Sequence, residues 1–259
     1  MNVQEAYYED GSDYRNGSPH LRHSALHDRL TDVLRQALQK LDDQGLPLRV
    51  LEVGAGHGGF TREALALGCE VTAVDMSGSA ISQLRRQFGT NPKLEMIYSP
   101  DGALHDVHGQ HSLLLLVSVL HHIPNYINFL EDAFKRLAPG GALITFQDPM
   151  LYARHRAAHR AERAAYFAWR AGQGSAVRGL QTRLRRLRGI LDESNNADMV
   201  EYHVVRAGVD EAAVLSVARG AFADAELIPY WSTQLGVAQR LGERLGLRSS
   251  FGVVAHGHS

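Results

Sequence analysis

The residues best spaced for chemistry lie in one short run, Glu52-Val-Gly54-Ala-Gly56-His-Gly58-Gly59, with Asp75 closing the next apolar segment. Glycine at the end of a strand lets the chain turn through φ values that other residues resist, and it leaves room for a ligand against the backbone. Gly54 suits the tight turn and Gly56 the close approach. Glycines 54, 56 and 59 also satisfy the G-x-G-x-x-G spacing, in which a helix amino terminus receives a pyrophosphate and a later acid, here Asp75, takes a ribose. Glu52 bears on the charge of the ligand. A carboxylate two residues before the first glycine repels a diphosphate and suits a nucleoside that carries positive charge. Asp75 serves either ligand, because its two oxygens can accept both ribose hydroxyls.

A second constellation lies farther on. His121 and His122 follow the apolar run Leu113 to Val119, and Asp148 follows the run Ala142 to Phe146. If these runs are adjacent strands, one pocket receives a histidine and a carboxylate, with His121 as general base and Asp148 as the group that orients it. His20, His23 and His27 recur at helical spacing, which places them on one face of an amino-terminal helix. No carboxylate pattern accompanies them, and no metal site is assigned. Tyr7, Tyr8, Tyr14, His20 and His23 are read as lid or substrate contacts. Glu201 and His203, flanking Tyr202, point the same way in a strand. The substrate-binding set is therefore Tyr14, His20, His23, His122, Glu201 and His203.

Elements must position these groups. Leu26, Leu30, Val33, Leu34, Ala37, Leu38 and Leu41 repeat at helical spacing, and Gly45 and Pro47 end the pattern. Short apolar runs then alternate with helical segments, with strands at LRVLEV, 70–75, 93–98, 113–119 and 142–146, the last preceded by a turn at APGG. After an intervening stretch the alternation resumes with a helix at 211–222, a strand at 225–231, a helix at 235–245 and a strand at 251–255. Such alternation implies a doubly wound, mostly parallel α/β sheet that binds ligands beyond the carboxyl ends of its strands. The expected divisions are an amino-terminal helical cap (1–46), a cofactor-binding core (47–149), a helical lid insertion (150–208) and a completion of the core sheet (209–259).

The run LEVGAGHGG, the strand end AVD, Asp101 after the third strand, SVLHHIP and LAPGG stand in an order and at separations that resemble the class I methyltransferases, from about Arg49 to Phe146. The resemblance implies a seven-stranded Rossmann-like sheet and S-adenosylmethionine as cofactor. It further implies that Glu52, Gly54, Ala55, Gly56 and Gly58 hold the methionine part. Asp75, followed by Met76, would take the ribose, Asp101 with Gly102 the adenine amino group, and Ser118 and Val119 would line the cofactor. One position departs from the pattern: an aspartate often precedes the fourth strand, where this chain has His111 and Ser112. The function so implied is methyl transfer to a small-molecule oxygen or nitrogen, with carbon possible, in specialised metabolism. Two other readings fit the residues, a nicotinamide-dependent oxidoreductase and a nucleic-acid methyltransferase.

Composition narrows the classes. Of 259 residues 44% are apolar and 21% charged, and the net charge is -1, so no global bias toward nucleic acid or anionic membrane exists. Cys69 is the only cysteine, which excludes an internal disulfide framework. The opening residues lack the basic start and apolar stretch of a signal peptide, and a cytoplasmic protein, monomer or homodimer, is expected. The stretch from Arg154 to Arg188 holds ten arginines and one acid, Glu162. It reads as a solvated helix face or as a contact for an anionic substrate. Tyr166, Phe167 and Trp169 within it lack the interleaving of a base-stacking platform and read as an apolar wall or core.

Overall fold

The computed structural model describes residues 18–172 and 208–259. Tyr7, Tyr8, Tyr14, Glu201, His203 and the arginines from 178 to 188 lie outside the described residues, as does the side chain of Arg170.

The elements are α1 (Pro19–Arg22), α2 (Ser24–Asp43), β1 (Arg49–Val53), α3 (Gly59–Ala66), β2 (Glu70–Asp75), α4 (Gly78–Phe88), β3 (Leu94–Tyr98) and β4 (His111–Val117). They continue with a 3-10 turn (Leu120–His122), α5 (Tyr126–Phe134), β5 (Leu137–Pro149), α6 (Arg156–Gly172), α7 (Glu211–Ala221), β6 (Phe222–Tyr230), α8 (Gly236–Arg244) and β7 (Ser250–His258). The seven strands form one sheet in the order β3-β2-β1-β4-β5-β7-β6. β7 runs antiparallel to both neighbours, and the other pairings in the sheet are parallel. This is the doubly wound, mostly parallel sheet that the alternation predicts.

Strands covered on both faces need unbroken apolar sequence. Leu113, Leu114, Leu115 and Leu116 of β4 meet that need, each almost fully buried at the centre of the sheet. Alternate residues feed two cores. Leu113 and Leu115 join Val50, Ile144 and Phe146 under α2, whose Leu26, Leu30, Leu34, Leu38 and Leu41 face them. Leu114 and Leu116 join Leu51, Leu143, Phe251 and Val253 on the opposite face, with Leu130 of α5 and Val214 of α7.

Three expectations need correction. The amino-terminal helix is broken at His23, which is extended at φ -100 and ψ 108, so His23 does not share a helical face with His20 and His27. The segment LAPGG is not a free turn but the start of β5. Gly140 at φ +81 and Gly141, where a Cβ would lie 2.8 Å from the Ala138 carbonyl, lie where the register shifts against β4. The expected strand 113–119 spans His111–Val117, which leaves Ser118 and Val119 beyond its end. His111 and Ser112 are structural here. The His111 ring lies 3.2 Å from Thr72 Oγ1, and the Ser112 hydroxyl bonds both backbone groups of Arg49. None of the helices formed by the described residues is long and apolar enough to cross a membrane.

Candidate active site

The carboxyl ends of β1, β2, β3, β4 and β5 carry the chemistry-bearing residues. At the end of β1 the chain turns through Gly54 at φ 72, Gly56 at φ 53 and Gly58 at φ 75. Gly54 and Ala55 donate to the Val74 carbonyl at 2.8 and 3.3 Å, which fastens the turn to β2. A Cβ on Gly54 would lie 2.5 Å from Val119 Cγ2, so Val119, two residues past β4, closes directly over the turn.

Asp75 ties the turn to the next helix. Its Oδ2 accepts the Gly56 N–H at 2.7 Å and its Oδ1 the Ser77 N–H at 2.8 Å. Burial raises its pKa above the ordinary carboxylate value, and the bonds from Ser77 and Gly56 oppose that rise. Glu52 lies beneath the same turn, 4% exposed, and accepts the Thr61 hydroxyl of α3. Burial pushes its pKa up to about 8 against the pull of the Thr61 bond, and the charge of Asp75 adds to the rise. Two carboxyl groups thus back one glycine turn, and neither has a cationic side chain as hydrogen-bond partner among the described residues. A cationic ligand at this edge would stabilise both in their ionised form. Asp101, past β3, is exposed, and Ala103 N–H and the Ser99 hydroxyl hold its carboxyl below the usual range. Gly102 follows at φ 71.

The second group forms where β4 and β5 end. His121 Nδ1 lies 2.7 Å from Asp148 Oδ1, and the same oxygen accepts the His121 backbone N–H at 3.1 Å. Asp148 is fully buried, and its Oδ2 has no hydrogen-bond partner among the described residues. The His122 ring packs 4.0 Å from that of His121. His20 is buried, with its ring stacked 6.3 Å from Phe60 at the start of α3. Burial, followed by repulsion from His27 and His121, pushes its pKa down to about 3, so it is a neutral ring. His23 has its Nε2 2.8 Å from the Thr233 carbonyl.

Asp148 reaches His121 because β5 is bulged. Thr145 pairs with Val253 and Asp148 with Phe251, so Phe146 and Gln147 together oppose Gly252. A bulge of one residue reverses which face the following side chains take. Phe146 faces the core under α2, and uninterrupted alternation would send Asp148 there too. Instead Asp148 shares a face with Phe251 and Val253. Gln147 adopts φ 65 to make the bulge. Its N–H donates to the Tyr230 hydroxyl at 2.7 Å, and its side-chain amide donates to Ser232 Oγ at 2.6 Å. Thr61, Gln147, Tyr230 and Gly252 are contributors that sequence reasoning missed. Only the placement of a glycine within the apolar strand SFGVVA hints at any of them.

Comparison with known proteins gives this arrangement its family. A family model described as a methyltransferase domain matches residues 22–187. The citrinin polyketide synthase of Monascus ruber is 34% identical over 125 residues, which cover 44% of this chain and 5% of that one. The ubiquinone biosynthesis O-methyltransferase of Caulobacter sp. (strain K31) is 33% identical over 125 residues, 45% of this chain and 49% of that one. The matched stretch therefore spans half or less of these curated relatives. Among solved structures, the N-methyltransferase NodS from Bradyrhizobium japonicum WM9, in complex with S-adenosylhomocysteine, superposes with a TM-score of 0.56 at 16% identity over 99% of both chains. The plantazolicin methyltransferase BpumL, also with S-adenosylhomocysteine, gives a TM-score of 0.58 at 12% identity over 99% of this chain and 94% of that one. At such identities the two structures speak for the fold, and the family model for the lineage: the chain belongs to the methyltransferase-domain family, enzymes whose methyl donor is S-adenosylmethionine.

Proposed function

We propose that this protein transfers the methyl group of S-adenosylmethionine to an oxygen or nitrogen of a small molecule in specialised metabolism, with His121 as the base. The observation that carries the proposal is the paired hold of Asp148 Oδ1 on the ring and the backbone of His121. The polyketide and ubiquinone syntheses named for the curated relatives support a small biosynthetic acceptor, and the O-methyltransferase among them supports oxygen.

When bound, S-adenosylmethionine supplies a methyl group already made electrophilic by its sulfonium. The chain's task is to hold, orient and deprotonate. Glu52, Gly54, Ala55, Gly56 and Gly58 form the cofactor seat, with Asp75 and Met76 beside it, Asp101 and Gly102 beyond β3, and Ser118 and Val119 as its wall. The fit rests on the paired carboxyls behind an open glycine backbone, a setting in which a bound ammonium favours their ionised form. With Nδ1–H donated to Asp148, His121 keeps a lone pair on Nε2, which takes the proton of the acceptor as it attacks. Orientation accounts for the larger share of the rate, and the base adds about 10²-fold or more. His20, being neutral, adds no positive charge beside that base. His20, His23 and His122 contact the substrate, together with Tyr14, Glu201 and His203. The proposal includes residues 1–46 as a cap and 150–208 as a lid over the core formed by 47–149 and 209–259, and a monomer or homodimer acting in the cytoplasm.

Calorimetry with S-adenosylhomocysteine and with NAD tests the cofactor, and label transfer from methyl-labelled cofactor to hydroxylated and amine acceptors tests the reaction. We expect S-adenosylhomocysteine to bind and label to be transferred. Tight NAD binding without S-adenosylhomocysteine binding would overturn the reading in favour of an oxidoreductase. Of the arginines from 154 to 163, Arg154 is taken up by bonds to Asp210 and Glu211, and salt-dependent RNA binding tests the nucleic-acid reading of the others.

A further inference from the structure

We infer that Tyr230, through the bulge it holds at Gln147 opposite Gly252, is a positioning residue that delivers Asp148 to His121. The inference rests on the catalytic reading above for its consequence and on geometry alone for its mechanism.

A bulge in the middle of a buried antiparallel pair leaves one residue outside the ladder, and that residue needs both a tolerable backbone conformation and new hydrogen-bond partners. Here the residue is Gln147. Its φ of 65 lies in the left-handed region, which a side chain with a Cβ adopts only under constraint from its surroundings. The constraint comes from β6 and the residues after it. The phenol oxygen of Tyr230 accepts the Gln147 N–H at 2.7 Å, and Ser232 receives its side chain. Tyr230 is itself buried, with its ring edge-on to Phe146, and the Arg29 guanidinium lies 5.7 Å over it. Its hydroxyl is therefore held in one place.

Gly252 supplies the space. A Cβ there would lie 2.2 Å from Phe146 Cδ1 and 2.3 Å from the Thr145 carbonyl, so the strand facing the bulge must carry glycine. The two requirements act on one outcome. With the bulge, Asp148 lies on the face it shares with Phe251. Without it, the carboxylate turns to the face of Phe146, away from the ring of His121. Tyr230 touches neither His121 nor Asp148 by hydrogen bond, and it acts by fixing the residue between Phe146 and Asp148.

The experiment reads the His121–Asp148 bond directly and turnover separately. Nitrogen-15 histidine spectra, with the His121 signals assigned by their loss in His121→Gln, report the proton on Nδ1. In the wild type we expect His121 protonated at Nδ1. We expect Tyr230→Phe and Gln147→Val, the latter a β-branched residue that resists positive φ, to lose that single tautomer and to lower kcat at least tenfold with S-adenosylhomocysteine affinity unchanged. Gln147→Gly adopts φ 65 freely and should keep the tautomer. In that background Tyr230→Phe should cost threefold or less. Retention of the Nδ1 proton in both Tyr230→Phe and Gln147→Val would overturn the inference, as would equal behaviour of the valine and glycine variants. If the wild type shows the tautomer but transfers no methyl group, the catalytic reading fails while the positioning inference stands on the spectra. Gln147→Val and Gln147→Gly keep Tyr230 in place, so a folding defect of Tyr230→Phe leaves the comparison intact.

Discussion

Asp148 gives one and the same oxygen to both the ring and the backbone of His121, at 2.7 and 3.1 Å, from a position with no solvent exposure. Such a hold fixes the imidazole in rotation as well as in tautomer, because the backbone bond leaves the 3-10 turn little freedom to carry the ring elsewhere. Two residues that act as one unit show strongly non-additive losses. We therefore expect His121→Ala to lower kcat about 10²-fold, and Asp148→Asn added to it to cost nothing further. Single-turnover label transfer measures both, and additive losses would show that Asp148 acts by some route other than His121.

The second prediction concerns Glu52 and the pH dependence of stability. The folded state raises this carboxyl from 4.5 to about 8. Its protonated form is thus favoured by folding, and the stability it contributes is present below 4.5 and lost as pH rises toward about 8. His20, lowered from 6.5 to about 3, acts with the opposite sign, but its contribution is complete near pH 6.5. Between pH 6.5 and 8 the ligand-free wild type should lose Tm with rising pH more steeply than Glu52→Gln. Parallel curves from differential scanning calorimetry would place the proton elsewhere.

Much of the frame is legible in the sequence, because buried central strands demand runs such as Leu113 to Leu116 and glycines mark the turn at β1. That His121 and Asp148 come to one edge of the sheet also follows, since they stand at the carboxyl ends of strands that adjoin in a doubly wound sheet. What the sequence conceals are choices made by distant contacts. Alternation alone sends Asp148 to the face of Phe146, and the bulge that reverses it depends on residues distant in sequence, Gly252 opposite it on β7 and Tyr230 reaching it from β6. The break at His23 is equally invisible, because its ring is tied to Thr233, 210 positions on. Glu52 reads as a carboxylate facing a ligand, whereas its burial against Thr61 depends on how α3 packs beneath the turn.

The glycine turn offers a sharper test than loss of function alone. Gly45 and Gly54 both have positive φ, at 74 and 72, but a Cβ on Gly45 meets nothing within 4 Å, and one on Gly54 meets Val119 Cγ2 at 2.5 Å. Gly45→Ala should cost only the backbone term, about 1–2 kcal/mol. Gly54→Ala adds overlap with a β-branched side chain that has few rotamers, a further cost of about 1–3 kcal/mol, and should abolish S-adenosylhomocysteine binding. Val119→Ala in the Gly54→Ala background should recover most of the added cost. Urea unfolding separates the terms, and no recovery would mean that strain in the turn itself, and not Val119, sets the limit.

The last prediction concerns the neck where the chain leaves the sheet at Met150 and returns at Val209. These two residues form a parallel bridge, and Val209 N–H donates to the Pro149 carbonyl. Gly208, at φ 73, brings its backbone so close that a Cβ would lie 2.2 Å from the Met150 carbonyl. Glu211, the first residue of α7, closes the junction from beneath by accepting bonds from Leu151 N–H, Arg154 and His155. Burial alone would raise its pKa, but those three bonds outweigh it and hold the carboxyl below the ordinary value of 4.5. Stability from Glu211 is accordingly present above 4.5 and lost as pH falls through its lowered folded value. Glu211→Gln should destabilise the protein by about 1–3 kcal/mol at pH 7, chiefly through the charge-assisted bonds it weakens. The gap to wild type should close as the solution is acidified, since protonated Glu211 and glutamine then offer the same weak acceptor. A gap that persists at low pH would mean that the junction is held by packing around Val209, and that the carboxylate is incidental to it.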